Sequence, residues 1–449
     1  MKKEVIYKML MLLSLTSLAA CKKQLDIKPT SSLQVPVSQA DFQALMDNTG
    51  VFSQIWPYAG TDGADDGFVS DVTWAAVSVT GRNAYIWDRN VFNDLPRNDW
   101  SMPYSAIFYA NVVLEGTAKY GGPAGEWQHI RGQAAFFRAY AYYQLAQEFC
   151  RAYDAQTSGS DPGLVLRASS DLNAPSLRVT VNATYNQIIS DLTLAANLLP
   201  VNVLTKTRPG KAAAYGMLAR TYLSMRDYPK AGLYADSALQ LQGQLLDYNQ
   251  VAAGSGPTFK RFNNEVVFHT IMSPAPVLLA PRYYIDTTLY SSYAGDDLRK
   301  KLFFKAASGT AYQSFNGSYD GTANLFNGIA TDELYLVRAE AAARGGNTNG
   351  ALADLNLLRK SRYQAATNQP LVSANAAEVL GWVLVERRKE LLLRGLRWTD
   401  LRRLNSEPAY SKIVVKIING TRYELKPGDA RYVWPIPAEV ISNTGIAQN

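Results

Sequence analysis

Between residues 331 and 362, apolar side chains recur three and four positions apart on two successive arms. This is the spacing of helices that each bury one face. On the first arm Leu334, Val337 and Ala341 form one row and Leu336, Ala339 and Ala343 a second; Ala351, Leu355 and Leu358 continue on the other arm. Between them Arg344-Gly345-Gly346-Asn347 reads as a helix stop, with Asn347 or Thr348 placed to cap the next start. Small residues at Ala339, Ala342 and Ala351 let the two backbones approach closely. The pattern predicts a helical hairpin.

The same spacing recurs upstream. Ala219, Tyr222, Ala231 and Ala235 stand at the offsets of Ala339, Ala342, Ala351 and Leu355, and Ala238 extends the row. A third copy is split: a helix over 130–149 precedes a long polar insert over 151–180, and its partner over 185–199 ends at Pro200. Hairpins of this period are tetratricopeptide-like. Each leaves an apolar face that only a neighbour covers, which predicts one stacked solenoid. An ordinary alanine-rich bundle is the alternative.

Further helices are expected over 40–47, 102–119 and 126–149. An amphipathic helix within 376–404 ends near Gly395 and is followed by a short one. On that stretch Glu386, Arg387, Glu390, Arg394, Arg397 and Asp400 suit a structural ion-pair network; a clamp for an acidic ligand is the alternative. Two regions carry no helical period, 49–100 and 243–330, apart from a candidate strand over 265–271; a closing segment over 432–437 reads as extended. Both loop-rich regions are crowded with Trp, Tyr and Phe among Gly, Asp and Asn. Loops this long are functional or disordered, and aromatic content argues against disorder. The expected fold is therefore mainly α. Tetratricopeptide-like units over about 102–242 and 331–404 carry long loop-rich insertions over about 49–100 and 243–330.

Composition narrows the function. The net charge of +7 over 449 residues is scattered, with no long basic run, so no nucleic-acid footprint follows. The two histidines, His129 and His269, rule out a histidine-rich metal site, and neither sits in a nucleophile motif. No Gly-rich phosphate loop is present, and no pair of carboxylates stands out for glycoside hydrolysis. We therefore assign no catalytic residue and expect no enzyme. Of the two cysteines, Cys150 reads as a packed free thiol.

The other is Cys21. Residues 1–20 have a basic start and an apolar run too short to span a bilayer, which reads as an export signal. Leu18-Ala19-Ala20-Cys21 resembles the bacterial lipobox, so Cys21 is the expected lipidation site. A polar, proline-punctuated tether over 21–36 then leads into a single domain over 21–449.

Together with this cysteine, three stretches resemble the SusD/RagB family of Bacteroidetes outer-membrane lipoproteins. These are the hairpin ELYLVRAEAAARGGNTNGALADLNLLRKSR, the helix ERRKELLLRGLRWTDLRRL and the ending WPIPAEVISNTGIAQN. The resemblance implies a SusD-like α-α superhelix at the cell surface, anchored to the outer membrane by its lipid. It also implies a SusC-like TonB-dependent transporter as partner, to which a glycan or, in some members, a peptide is delivered. A non-catalytic scaffold whose groove takes another protein's peptide is the remaining alternative.

Sugars present C–H patches that stack on aromatic rings, with hydroxyls at the rim for polar side chains. On that chemistry Trp74 and Trp87 from the first loop region, with Tyr290 and Tyr293 from the second, are the expected platform. Asp62, Asp65, Asp66 and Asp71 offer hard oxygen ligands suited to calcium, although their spacing misses the EF-hand pattern and a solvated acidic loop is the simpler reading. No metal or other cofactor is expected.

Overall fold

The structure, a computed structural model, describes residues 35–54, 56–92, 97–254, 256–273, 277–278 and 282–449. Cys21, the export signal and nearly all of the tether lie outside the described residues. The long helices are α1 (Gln39–Met46), α2 (Ser101–Tyr120), α3 (Glu126–Phe149), α4 (Val181–Leu198), α5 (Lys211–Ser224), α6 (Tyr228–Leu241), α7 (Thr331–Arg344), α8 (Thr348–Arg362), α9 (Ala376–Glu390) and α10 (Arg397–Leu404). From α2 to α8 each helix packs against the next, and α9 lies across α7 and α8. The contact of α6 with α7 bridges the whole second loop region, so the solenoid continues as though the insertion were absent.

Local chemistry accounts for the helix starts. Thr180, Asp227 and Asn347 cap α4, α6 and α8, each side chain accepting from a first-turn N–H, and Asn375 caps α9. The turns of the two later hairpins repeat position for position. Asp227 N donates to the Tyr222 carbonyl as Asn347 N does to that of Ala342, and Arg226 takes the left-handed conformation (φ 63°) that Gly346 takes in the other (φ 80°). Ala219, Ala231, Ala235, Ala339, Ala351 and Leu355 are all buried, as the spacing requires. Helix α3 sits at the centre of the stack with nearly every side chain from Gly132 on enclosed, and Cys150 just beyond it is buried, its thiol pushed up to about 12 by burial.

Three features depart from the expected loops. The first loop region holds four short helices (Thr49–Phe52, Ala59–Gly63, Asp71–Ala76, Val79–Tyr85). The insert after α3 closes with antiparallel strands Pro162–Val165 and Arg178–Thr180. A hairpin, Val414–Ile418 with Thr421–Leu425, turns on Asn419-Gly420 with both φ positive (49° and 76°). That dipeptide is a hairpin signal, which the search for helical period passes over. The hairpin docks on the first loop region, where the Asp71 carboxylate accepts from Asn419 N at 2.8 Å.

Helix α9 ties the solenoid to the loop side through buried ion pairs. Glu390 accepts from Arg362 of α8 and from Arg299 of the second loop region, both at 2.7 Å, and Arg299 also meets Asp297 (2.8 Å) and Glu386 (2.5 Å). Arg362 reaches Glu265 at 2.7 Å, Arg394 pairs with Asp332, and Arg387 and Arg403 share Asp400, both at 2.8 Å. Burial pushes Asp400 up, but Arg387 and Arg403 outweigh it and hold the carboxyl at about 2. The charges of 386–400 are therefore structural and internally neutralised. They do not form a ligand clamp.

Candidate functional site

The two loop regions meet. Gly67–Phe68 pairs antiparallel with Tyr284–Ile285, with Phe68 opposite Tyr284. Gly67 is demanded by this approach, since a Cβ there would lie 2.1 Å from the Tyr284 carbonyl oxygen. Beside this pair runs a second hairpin, Phe304–Ala306 with Gln313–Phe315, whose turn carries Tyr312. Three rings converge as a result. Phe68 is 4.9 Å from Tyr312, edge to face at 89°, and 5.6 Å from Tyr284, while Tyr284 and Tyr312 are 5.2 Å apart. Phe68 and Tyr284 are half-buried and Tyr312 is 40% exposed. Elsewhere on the second loop region opens a cleft of about 210 Å³ whose wall includes Tyr283, Lys305, Phe315, Asn316 and Thr322 and none of the three rings.

A separate hydrophobic core supports this surface. Tyr58, Tyr85, Tyr283, Tyr293, Phe303 and Phe304 belong to it, distinct from the cluster that fills the solenoid. Its membership corrects the expected platform. Tyr293 is fully buried and its hydroxyl donates to the Lys389 carbonyl at 2.8 Å. Trp87 is 1% exposed, in the solenoid core, with its indole N–H on the Gly63 carbonyl at 2.9 Å. Neither ring can stack on a ligand. Trp74 and Tyr290 stay half-buried at the edge of the loop-side core. Trp74 is bonded to the Arg82 carbonyl at 3.3 Å, and Tyr290 stands edge-on to Phe304 at 5.2 Å. The rings that do converge across the two loop regions, Phe68, Tyr284 and Tyr312, are not those of the expected platform.

The four aspartates do not converge on a cation. Asp65 is held by Arg397 (2.6 Å), Arg388 (2.8 Å) and Lys412 (2.8 Å); Asp62 and Asp66 are buried; Asp71 bonds the hairpin. They are not gathered closely enough to share one ion among the described residues. Among the described residues the carboxylates close enough to share an ion are Glu265, Asp332 and Glu390, and the arginines named above already neutralise them. The histidines are structural: His269 is buried 3.1 Å from Asp320, and His129 lies beside Glu126 on the surface of α3.

Beneath the first loop region lies a different acidic group. Asp99 accepts from Tyr58 N (2.9 Å) and Ala59 N (2.8 Å), and Glu148 from Gly60 N (3.1 Å). Asp62, fully buried beside them, has no hydrogen-bond partner for either oxygen among the described residues. Burial, reinforced by their mutual repulsion, pushes Glu148 up to about 8 and Asp62 well above the carboxylate range; burial alone lifts Asp99 to about 7. Asp99 and Glu148 hold the backbone of 58–60, and Glu148 ties it to the end of α3.

A helical solenoid with an aromatic surface built from its insertions defines a scaffold-and-loops binding protein. Comparison with known proteins agrees. The family model for starch-binding proteins associating with the outer membrane matches residues 23–223, and the SusD family model matches residues 310–449. The chain belongs to the SusD family, a carbohydrate-binding family. It is 28% identical over 173 residues to SusD-like protein P2 of Formosa agariphila; that match spans 36% of this chain and only 32% of the relative's length. Its fold is that of a SusD superfamily protein from Bacteroides thetaiotaomicron (TM-score 0.75, 20% identity, 92% of this chain and 100% of the other). A SusD-like carbohydrate binding protein from Bacteroides vulgatus (0.70, 17%, 91% and 97%) and a laminarin binding SusD-like protein (0.66, 19%, 91% and 98%) share it. No helix among the described residues is long and apolar enough to cross a membrane.

Proposed function

We propose that this protein captures a polysaccharide or oligosaccharide at the outer-membrane surface, anchored through lipid on Cys21, and presents it to a SusC-like TonB-dependent transporter. The observation that carries the capture step is the convergence of Phe68, Tyr284 and Tyr312 on an accessible surface. Such rings stack on sugar C–H faces. The laminarin-binding relative of the same fold supports a glycan as the ligand. The protein binds and presents, and turns nothing over.

The test is a titration of the mature, lipid-free protein with neutral glycans and oligopeptides, followed by tyrosine and tryptophan fluorescence and by calorimetry. Saturable binding of one glycan class is expected, weakened at least tenfold by Phe68→Ala with Tyr312→Ala. A response to peptides alone, or glycan binding untouched by the double variant, overturns the reading.

A further inference from the structure

A second cavity, of about 620 Å³, opens where the start of the insert after α3, helix α10 and the segment 428–433 meet residues 448–449. Four arginines line it, Arg89, Arg151, Arg402 and Arg431, against the side-chain carboxylates of Asp161 and Asp429 and the terminal oxygens of Asn449. Asp429 is taken by Arg431 at 2.7 Å. Asp161 accepts from the Thr157 hydroxyl at 2.5 Å and lies 3.8 Å from Arg151, whose side chain is 69% exposed and whose fork is left open. Arg89 is exposed and donates to the Val433 carbonyl (3.4 Å) and to a terminal oxygen of Asn449, the last residue (3.0 Å).

Arg402 is the unusual member. It is 7% exposed, its terminal nitrogens donate to the Gln147 and Cys150 carbonyls at the end of α3, and its Nε has no partner among the described residues. Its neighbours Arg387 and Arg403, both buried, and Arg397, half-buried, each meet a carboxylate. Burial without a counter-charge in contact pushes the Arg402 guanidinium down. A cationic excess in a walled cavity focuses a positive potential, and guanidinium forks match the oxygen pairs of carboxylates and sulfates.

We infer that this cavity binds the carboxylate or sulfate group of an acidic saccharide, with Arg151 as the open fork and Arg89 and Arg402 supplying charge. Asn405 and Tyr432 in the wall offer partners for sugar hydroxyls. The saccharide part rests on the glycan-capture reading; the oxyanion part does not. The site is separate from the Phe68 cluster, so a uronic or sulfated glycan would be held at two places.

The test titrates the mature protein with glucuronate, glucose and inorganic sulfate by calorimetry. Saturable binding of glucuronate and sulfate is expected, weakened by added salt. It should fall at least tenfold in Arg89→Ala/Arg151→Ala and remain unchanged in Phe68→Ala/Tyr312→Ala. Both arginines are exposed, so the thermal midpoint of the double variant should match that of the parent. Absence of binding by both anions, or equal binding by the arginine variant, overturns the site even if a neutral glycan binds at the aromatic cluster. Binding of sulfate without glucuronate overturns the saccharide as its ligand.

Discussion

Trp87 and Tyr312 show how differently two loop aromatics behave. Trp87 adopts a left-handed backbone (φ 60°), and its ring lies among core residues with the indole N–H 2.9 Å from the Gly63 carbonyl. Truncating it to alanine should cost about 3–5 kcal/mol in denaturant unfolding, as a large aromatic lost from a core does. Tyr312→Ala should stay within about 0.5 kcal/mol of the parent, because a surface ring leaves no cavity, while weakening glycan binding. Equal losses for both would place Tyr312 in the core as well. Nothing in the residue types or their flanks separates these two outcomes. Each sits among Gly, Asp, Asn and Ser, and burial is decided by which distant segment covers the ring.

Among the helices, Gly232 of α6 makes a close approach to the neighbouring α7. A Cβ there would meet the Cβ of Ala341 on α7 at 2.8 Å. By helix propensity alone Gly232→Ala should stabilise α6 by about 1 kcal/mol. The packing predicts the reverse, a net loss of about 1–2 kcal/mol, because overpacking a helix contact costs about 1–3 kcal/mol and neither Cβ can swing away. Urea unfolding of this single variant decides the sign; a gain would mean that α6 and α7 separate freely. Helix positions and starts are legible in the sequence to within a few residues because their causes are local: the apolar period, Asn347 as a cap, the Gly-Gly stop. The crossing of α6 over α7 is not legible, since 89 residues of chain between Leu241 and Thr331 intervene.

For the whole molecule, the buried carboxyls set the response to pH. Asp99 and Glu148, raised to about 7 and about 8, bind protons more tightly folded than unfolded, where carboxylates titrate near 4. Their contribution is therefore full below about pH 4 and is lost as pH rises through 7 to 8. Asp297 and Asp400, held at about 2 against burial by Arg299 and by Arg387 with Arg403, act in the opposite sense. Their contribution is present above about pH 4 and lost as pH falls toward 2. Thermal unfolding should thus peak in mildly acidic buffer and decline between about pH 5 and 8, and Asp99→Asn with Glu148→Gln should flatten that decline. A midpoint that rises steadily over the same range would contradict it.

The helical period, the caps and the lipobox are properties of neighbouring residues, so the sequence alone determined a mainly α solenoid with two long aromatic insertions and the resemblance to its family. It also placed charges on 386–400 in a network, although the partners Arg299, Arg362 and Asp332 come from other elements. Tertiary structure alone decided which rings face outward, that Phe68 meets Tyr284 and Tyr312, that Asp65 belongs to Arg397, and that the Arg402 guanidinium donates to backbone carbonyls. Those outcomes depend on segments hundreds of residues apart arriving at one place. Side-chain periodicity carries no information about such pairings, because it reports only which face of a local element is apolar.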